Sequence, residues 1–199
     1  MAPKLEKLVI ASGNPGKLAE IEQMLAPLGI GVLPQQTLKI SEAEEPFLTF
    51  VENALAKARH ASSVSGLPAL ADDSGICVEA LGGAPGVFSA RFAGAPGSDA
   101  RNNARLLELL ENCENRRAHY VCLMVLVRSR DDPQPLIAEG QWHGEILRRP
   151  RGNQGFGYDP LFLDPSLGRT GAELDPAQKN RISHRGKAMA ALLARLREF

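Results

Sequence analysis

The chain has no excess of charge of either sign. Its 199 residues hold 23 lysines and arginines against 23 aspartates and glutamates, a formal net charge of zero. That excludes the broad cationic footprint with which proteins hold a long nucleic-acid backbone, and leaves small charged ligands held by local clusters. Long apolar runs are missing too. None approaches the roughly 20 residues that cross a bilayer, and the longest, Val121 to Val127, has the length of a buried strand. No membrane partner is therefore expected. The opening Met-Ala-Pro-Lys-Leu-Glu-Lys lacks the apolar core of a signal peptide, which predicts a cytoplasmic location. Cysteine is scarce: Cys77, Cys113 and Cys122 are odd in number and have no C-x-x-C spacing. This excludes a disulfide framework and a zinc site, and reads them as small buried hydrophobes.

What is present suits an ordinary globular protein. Apolar residues make up 44% of the chain and charged ones 23%, enough for a full core and too apolar for disorder. The length predicts one domain over residues 1–199, with two lobes, no clean linker and no internal repeat.

Periodicity orders the elements. Leu8-Val9-Ile10-Ala11 reads as a strand, and Leu18, Ile21, Leu25 and Leu28 as one face of a helix. Gly31 to Leu33 is a short second strand. From Thr49 to Ser63, Phe50, Val51, Ala54, Leu55, Ala58 and Ala61 recur with helical spacing, until Gly66 and Pro68 break the helix. Ala69-Leu70-Ala71 reads as a short strand ending on Asp72-Asp73-Ser74-Gly75, Ile76 to Ala80 as a further strand, and Gly82 to Gly86 as a turn. Ala100 to Glu111 predicts a helix with Leu106, Leu107 and Leu110 on one face. Ala118 to Arg128 and Leu136 to Ile146 predict an antiparallel pair across a turn at Asp131-Asp132-Pro133. A loop rich in glycine and proline, Pro150 to Pro160, leads to Leu161-Phe162-Leu163. A last helix begins near Arg185 and buries Met189, Leu192, Leu193 and Leu196. The class is α/β.

The densest chemistry lies at the first strand-to-helix junction, where Ser12, Gly13, Asn14, Pro15, Gly16 and Lys17 form a short polar turn. Glycines let backbone N–H groups approach an anion, the helix N-terminus adds partial positive charge, and Lys17 adds a full one. The expected ligand carries phosphate. It is not a Walker A loop, because only Asn14 and Pro15 separate the glycines and Leu18 follows the lysine. Taken alone, the turn also suits a plain Ser12 N-cap.

Five other segments bear on that ligand. Adjacent side chains on a strand point to opposite faces, so only one of Asp72 and Asp73 faces a given site; alone, the pair also suits a solvated turn. Glu42, Glu44 and Glu45 lie in a loop, and carboxylates with phosphate oxygens are how proteins hold Mg²⁺. Lys57 shares a helix face with Asn53, and its ammonium reaches either water or a phosphate. Phe156, flanked by Gly155 and Gly157 and followed by Tyr158 and Asp159, has no stripe to join and suits stacking on a nucleobase. Ser183-His184-Arg185-Gly186-Lys187 gathers hydrogen-bond donors at the start of the last helix, which favours a base with a keto oxygen over one with an amino group.

Together, Ser-Gly-Asn-Pro-Gly-Lys, Asp-Asp-Ser-Gly with the block through Gly94, Gly-Phe-Gly-Tyr-Asp-Pro and Ser-His-Arg-Gly closely resemble the noncanonical purine nucleoside triphosphate pyrophosphatases. This is the inosine triphosphatase family in its bacterial dITP/XTP form, and the resemblance runs in order from Val9 to Leu196. It implies an elongated, mixed, twisted sheet with flanking helices, two lobes around a central cleft, and a homodimer.

By the same resemblance, the turn from Ser12 to Lys17 binds the triphosphate through Asn14 and Lys17, and Lys57 adds a second contact. Asp73 matches the general base, Ser74 touches substrate, and Asp72 supports the site. Glu44 or Glu45 joins Asp73 in holding Mg²⁺. Phe156 stacks on the base with Gly157, Tyr158 and Asp159 completing the wall, and Lys179, Ser183, His184 and Arg185 read the purine edge. The implied substrate is a small purine nucleoside triphosphate (ITP, dITP or XTP), cut to the monophosphate and pyrophosphate so that deaminated purines leave the nucleotide pool. The alternatives are a Maf-like pyrophosphatase of modified pyrimidine nucleotides and a nucleotide-binding module without catalysis.

Overall fold

A computed structural model of the chain describes residues 5–196. The first four residues, where the segment read as lacking a signal-peptide core begins, lie outside the described residues, as do the last three. In order the chain forms β1 (Lys7–Ile10), α1 (Pro15–Leu25), β2 (Gly31–Pro34), α2 (Phe50–Ser65), β3 (Ala69–Val78) and α3 (Asp99–Leu109). There follow β4 (Arg117–Val127), β5 (Leu136–Ile146), β6 (Phe162–Asp164), β7 (Arg169–Thr170), α4 (Pro176–Ile182) and α5 (His184–Leu196).

The strands make one open sheet in the order β2-β1-β3-β4-β5-β6-β7. It is mixed: β1 runs parallel to β2 and β3, whereas β5-β6 and β6-β7 are antiparallel. The expected hairpin of β4 and β5 is present. At its end far from the turn, the Ile146 N–H donates to the Arg116 carbonyl at 2.8 Å.

Two compact units can be described separately. The first comprises Met1–Asp73, Cys122–Gly140 and Arg185–Phe199, the second Ser74–Val121 and Gln141–His184. In the first unit β1, the start of β3 and the end of β4 are buried on both faces, so they read as near-continuous apolar runs, whereas β5 alternates buried and exposed positions. The period of two divides their side chains between two cores. Leu8, Ile10, Leu70, Met124 and Leu126 pack with Ile21 and Leu25 of α1 and Met189 and Leu192 of α5. Val9, Ala11, Ala69, Ala71, Val125 and Val127 pack with Ala54, Ala58 and Ala61 of α2. Those three alanines sit at helical spacing and bring the helix axis close to the strands. That closeness places the Asn53 and Lys57 face beside the end of β3 within this unit. The second unit packs Ile76, Val78, Leu106, Leu110, Tyr120, Trp142 and Phe162, and the buried Trp142 indole donates to Asp164 at 2.8 Å.

Three expectations are corrected. Asp72-Asp73-Ser74-Gly75 does not end a strand: β3 is continuous through it, and the separate strand expected from Ile76 to Ala80 is its second half. Two acidic residues are tolerated mid-strand because cations of this chain pair with both. The third correction concerns β7 and α4, which fall between Leu163 and the last helix where no element was expected, since each is too short to show a period; β6 falls on the apolar run Leu161-Phe162-Leu163. No helix among the described residues is long and apolar enough to cross a membrane.

Candidate active site

The turn after β1 folds as a capped helix start. Asn14 is the N-cap of α1, its Oδ1 accepting from the backbone N–H groups of Gly16 at 2.9 Å and Lys17 at 3.1 Å. Pro15 occupies the first helical position, where its missing N–H is no loss. Ser12 Oγ accepts from the Asn14 N–H at 3.3 Å. A Cβ on Gly13 would land on the Glu42 carboxylate, so only glycine lets that side chain lie against the turn.

Lys17 leaves this helix start and places Nζ 3.1 Å from Asp72 Oδ2. The same oxygen receives Arg185 Nε at 3.4 Å and Nη2 at 3.3 Å, while Arg185 Nη1 meets Glu20 at 2.5 Å. Asp72 and Arg185 are both fully buried. Burial alone would push the Asp72 carboxyl up; Lys17 and Arg185 outweigh it and hold the group well below the usual carboxylate range. Its other oxygen, Oδ1, is buried without a hydrogen-bond partner among the described residues.

Asp73 turns the other way, as strand alternation requires. Its oxygens meet Asn53 Nδ2 at 3.3 Å and Lys57 Nζ at 3.4 Å, and Lys57 also pairs with Glu45 at 2.6 Å. Burial pushes the Asp73 carboxyl up; Lys57 and Lys17 oppose the shift, Glu45 and Asp72 add to it, and the result is a raised group. Burial pulls Lys57 down, but the charges of Asp73, Asp72 and Glu45 prevail and raise it. The two neighbouring aspartates are thus pushed apart, one a permanent anion and the other a proton acceptor displaced toward neutrality.

The acidic loop is hung from α2. Asn53 closes a two-way bond with the Phe47 backbone at 3.1 and 3.2 Å, and His60 Nε2 lies 2.9 Å from the Ser41 carbonyl. Glu45 is drawn in against Lys57, and Glu44 is exposed. Among the described residues no group of three or more His, Cys, Asp or Glu side chains forms a metal site. Mg²⁺ needs fewer from the protein, commonly one or two carboxylates plus phosphate oxygens. The Asp73 and Glu45 carboxylates, which share the Lys57 ammonium, fit such a cation.

In the second unit, Ser74 continues β3 and is half-buried. A Cβ on Gly75 would meet the Gly86 carbonyl at 2.3 Å, and Ser89 Oγ accepts from the Ile76 N–H at 2.9 Å, so the long block after the aspartates packs onto this strand. The loop of Phe156 closes on Asp159. That carboxylate accepts from the Phe156 N–H at 2.9 Å and from Lys179 Nζ at 2.6 Å, and the ammonium lies 4.7 Å from the Phe156 ring centre. Gly155 has no room for a side chain beside Asp159. Gly157 is half-buried and adopts φ 63°. Tyr158 is buried and donates to the Ser89 carbonyl at 2.8 Å. Ser183 is buried, and His184 stacks on Tyr120 at 4.5 Å with ring planes 6° apart.

The first unit therefore gathers Lys17, Glu45, Lys57, Asp72 and Asp73, and the second gathers Phe156, Asp159 and Lys179. Arg185 differs from expectation: its guanidinium is enclosed by Asp72 and Glu20, because a buried charge must be paired. Sequence reasoning missed Glu20, Asp99 and Asn103, none of which sits in a recognisable motif, and gave Ser89 no role of its own although it lies in the block through Gly94. For Asn53 the signal was its position four residues before Lys57.

The sequence profile of the Ham1 family matches residues 8–195. The chain is 64% identical over 198 residues to a dITP/XTP pyrophosphatase of Ralstonia nicotianae, covering 98% of each chain. It is 65% identical over 190 residues to one of Aromatoleum aromaticum, covering 96% of each. A solved HAM1 protein from Coxiella burnetii superposes with a TM-score of 0.90 at 50% identity, covering 97% of this chain and 99% of that one.

Proposed function

The chain belongs to the Ham1 family, and we propose that it hydrolyses noncanonical purine nucleoside triphosphates (ITP, dITP and XTP) to the monophosphate and pyrophosphate. The observation that carries this reading is the pair of adjacent, buried aspartates whose proton affinities are shifted in opposite directions beside two lysines. The dITP/XTP pyrophosphatases of Ralstonia nicotianae and Aromatoleum aromaticum, 64% and 65% identical, supply the substrate class.

In this reading the turn from Ser12 to Lys17 and Lys57 take the triphosphate, with the lysines neutralising charge that develops on the phosphates. Asp73 accepts the proton of the attacking water, for which a raised pKa suits it. Asn53 orients that carboxylate, and Asp72 holds Lys17 in place, anchored from behind by Arg185. Mg²⁺, held by Asp73 with the Glu44 and Glu45 pair, would supply Lewis-acid polarisation of the phosphates. Phe156 stacks on the base, and Ser74, Gly157, Tyr158, Asp159, Lys179, Ser183 and His184 shape its surroundings. A site built to donate to a 6-keto oxygen leaves its donor unpaired against adenine, at about 1–3 kcal/mol for each buried unsatisfied group. Cytoplasmic location and a homodimer complete the proposal, the latter checked by sedimentation.

The test is incubation with Mg²⁺ and, separately, ITP, XTP, dITP, GTP, ATP and dUTP, with pyrophosphate and orthophosphate both assayed. Pyrophosphate confined largely to the first three is expected. Orthophosphate would refute the cleavage position, and turnover confined to dUTP would favour a pyrimidine enzyme.

A further inference from the structure

The first turn of α3 grips the loop of Phe156 from outside the residues considered so far. The Gly157 N–H donates to Asp99 Oδ2 at 2.7 Å, and Asn103 Nδ2 donates to the Gly157 carbonyl at 2.8 Å. Both backbone groups of one loop residue are thus held by side chains four apart on one helix face. With φ at 63°, Gly157 is turned away from regular pairing, so these two side chains fix the peptide that carries the Phe156 ring. Asp159 and Lys179 hold the loop from its other side.

Asn103 is an odd choice for stability. Its amide nitrogen serves two carbonyls, those of Gly157 and, at 2.7 Å, Asp99, which settles its orientation. Its Oδ1 is then buried with no hydrogen-bond partner among the described residues. A buried unmade acceptor destabilises, and leucine at this helical position would avoid it while favouring the helix. A residue that clamps a loop at the cost of an unmade acceptor suits function better than stability alone.

We propose that Asp99 and Asn103 are positioning residues for base recognition, fixing the Gly157 peptide so that the Phe156 ring is presented in one orientation. This rests on the reading of the Phe156 loop as the purine wall. Neither residue touches substrate; they act by lowering the ordering loss on binding, so they strengthen binding of the base and leave the phosphate chemistry alone.

The experiment compares wild type, N103L, D99A and D99N for ITP hydrolysis, thermal melting and inhibition by tripolyphosphate, which has no base. N103L is expected to melt within a few degrees of wild type, the removed unmade acceptor offsetting the two donated bonds that are lost, while KM for ITP rises about 3- to 10-fold and kcat stays within about 2-fold. D99A behaves likewise in KM, and D99N, which keeps an acceptor oxygen, recovers part of the loss. Tripolyphosphate inhibition stays unchanged throughout. Unchanged KM in both N103L and D99A overturns the proposal, as does a loss of tripolyphosphate affinity equal to the rise in KM. A wild type that turns over no purine triphosphate sinks the purine-wall reading first and this inference with it.

Discussion

Replacing Asp72 by asparagine removes the charge on which Lys17 and Arg185 converge. The side chain is fully buried and so is Arg185, whereas the Lys17 side chain keeps 16% exposure. Breaking a buried ion pair from one side costs about 3–5 kcal/mol, chiefly for the charge left behind. The lower end applies here, because Glu20 remains on Arg185 and Lys17 can turn toward water. A loss of about 3 kcal/mol corresponds to a fall in Tm of roughly 6–12 °C for a chain of this size. The assay is urea unfolding at pH 7 followed by far-UV circular dichroism; Trp142, the single tryptophan, lies in the second unit and reports on that unit instead. The pH dependence has a definite sign. The folded pKa of Asp72 lies below its unfolded value, so its contribution is complete above the unfolded pKa and fades as pH falls through the folded one. The gap between wild type and D72N should therefore be flat from about pH 5 to 8 and close only in stronger acid. A loss under about 1 kcal/mol, or a gap that widens toward pH 8, would refute the argument.

Asp73→Asn should lower kcat by about 10²- to 10⁴-fold while changing the ITP KM little. In the wild type the acid limb of kcat/KM should lie above the ordinary aspartate value, because burial raises Asp73; the rate falls as pH drops through that limb and the base takes up a proton. A limb at an ordinary carboxylate pKa would contradict this assignment. Lys57→Met should raise KM for ITP and weaken tripolyphosphate inhibition together by about 10- to 100-fold, the size of a charge-assisted contact, and a shift in only one of the two would argue against a phosphate role. Gly75→Ala places a Cβ 2.3 Å from the Gly86 carbonyl, a backbone atom that cannot swing aside. It should cost about 1–3 kcal/mol in urea unfolding, and a neutral result would mean that the 86–89 segment can shift away.

Elements with a full period were legible: α2 and the β4-β5 pair lie within two residues of where their apolar spacing puts them. What misled was polarity in the middle of β3. Asp-Asp-Ser-Gly carries every local mark of a turn, and only the cations of residues 17, 57 and 185, remote in sequence, make a strand there affordable. The same remoteness explains Arg185. Its position among donors at a helix start pointed toward a ligand, yet its burial between Glu20 and Asp72 is a tertiary fact without a local signal. Asp99 and Asn103 were hidden in an ordinary amphipathic helix, 54 to 58 residues from the loop they hold.

Two identical side chains one peptide apart thus acquire different chemistry from strand geometry alone. Alternation sends Asp72 to the face where Lys17 and Arg185 wait, and Asp73 to the face lined by Asn53, Lys57 and Glu45. Burial disfavours ionisation of both; on the first face two cations reverse that effect, and on the second a neighbouring carboxylate partly cancels the lysine. A turn, where successive side chains splay into water, would leave both near the ordinary carboxylate value and supply no base. Continuity of β3 is therefore a condition of the chemistry. Exchanging partners tests it: in K57E the second face loses its cation, so the acid limb of any residual kcat/KM should move to still higher pH while Asp72 stays ionised. A limb that moved to lower pH would show that Lys57 does not set the Asp73 proton affinity.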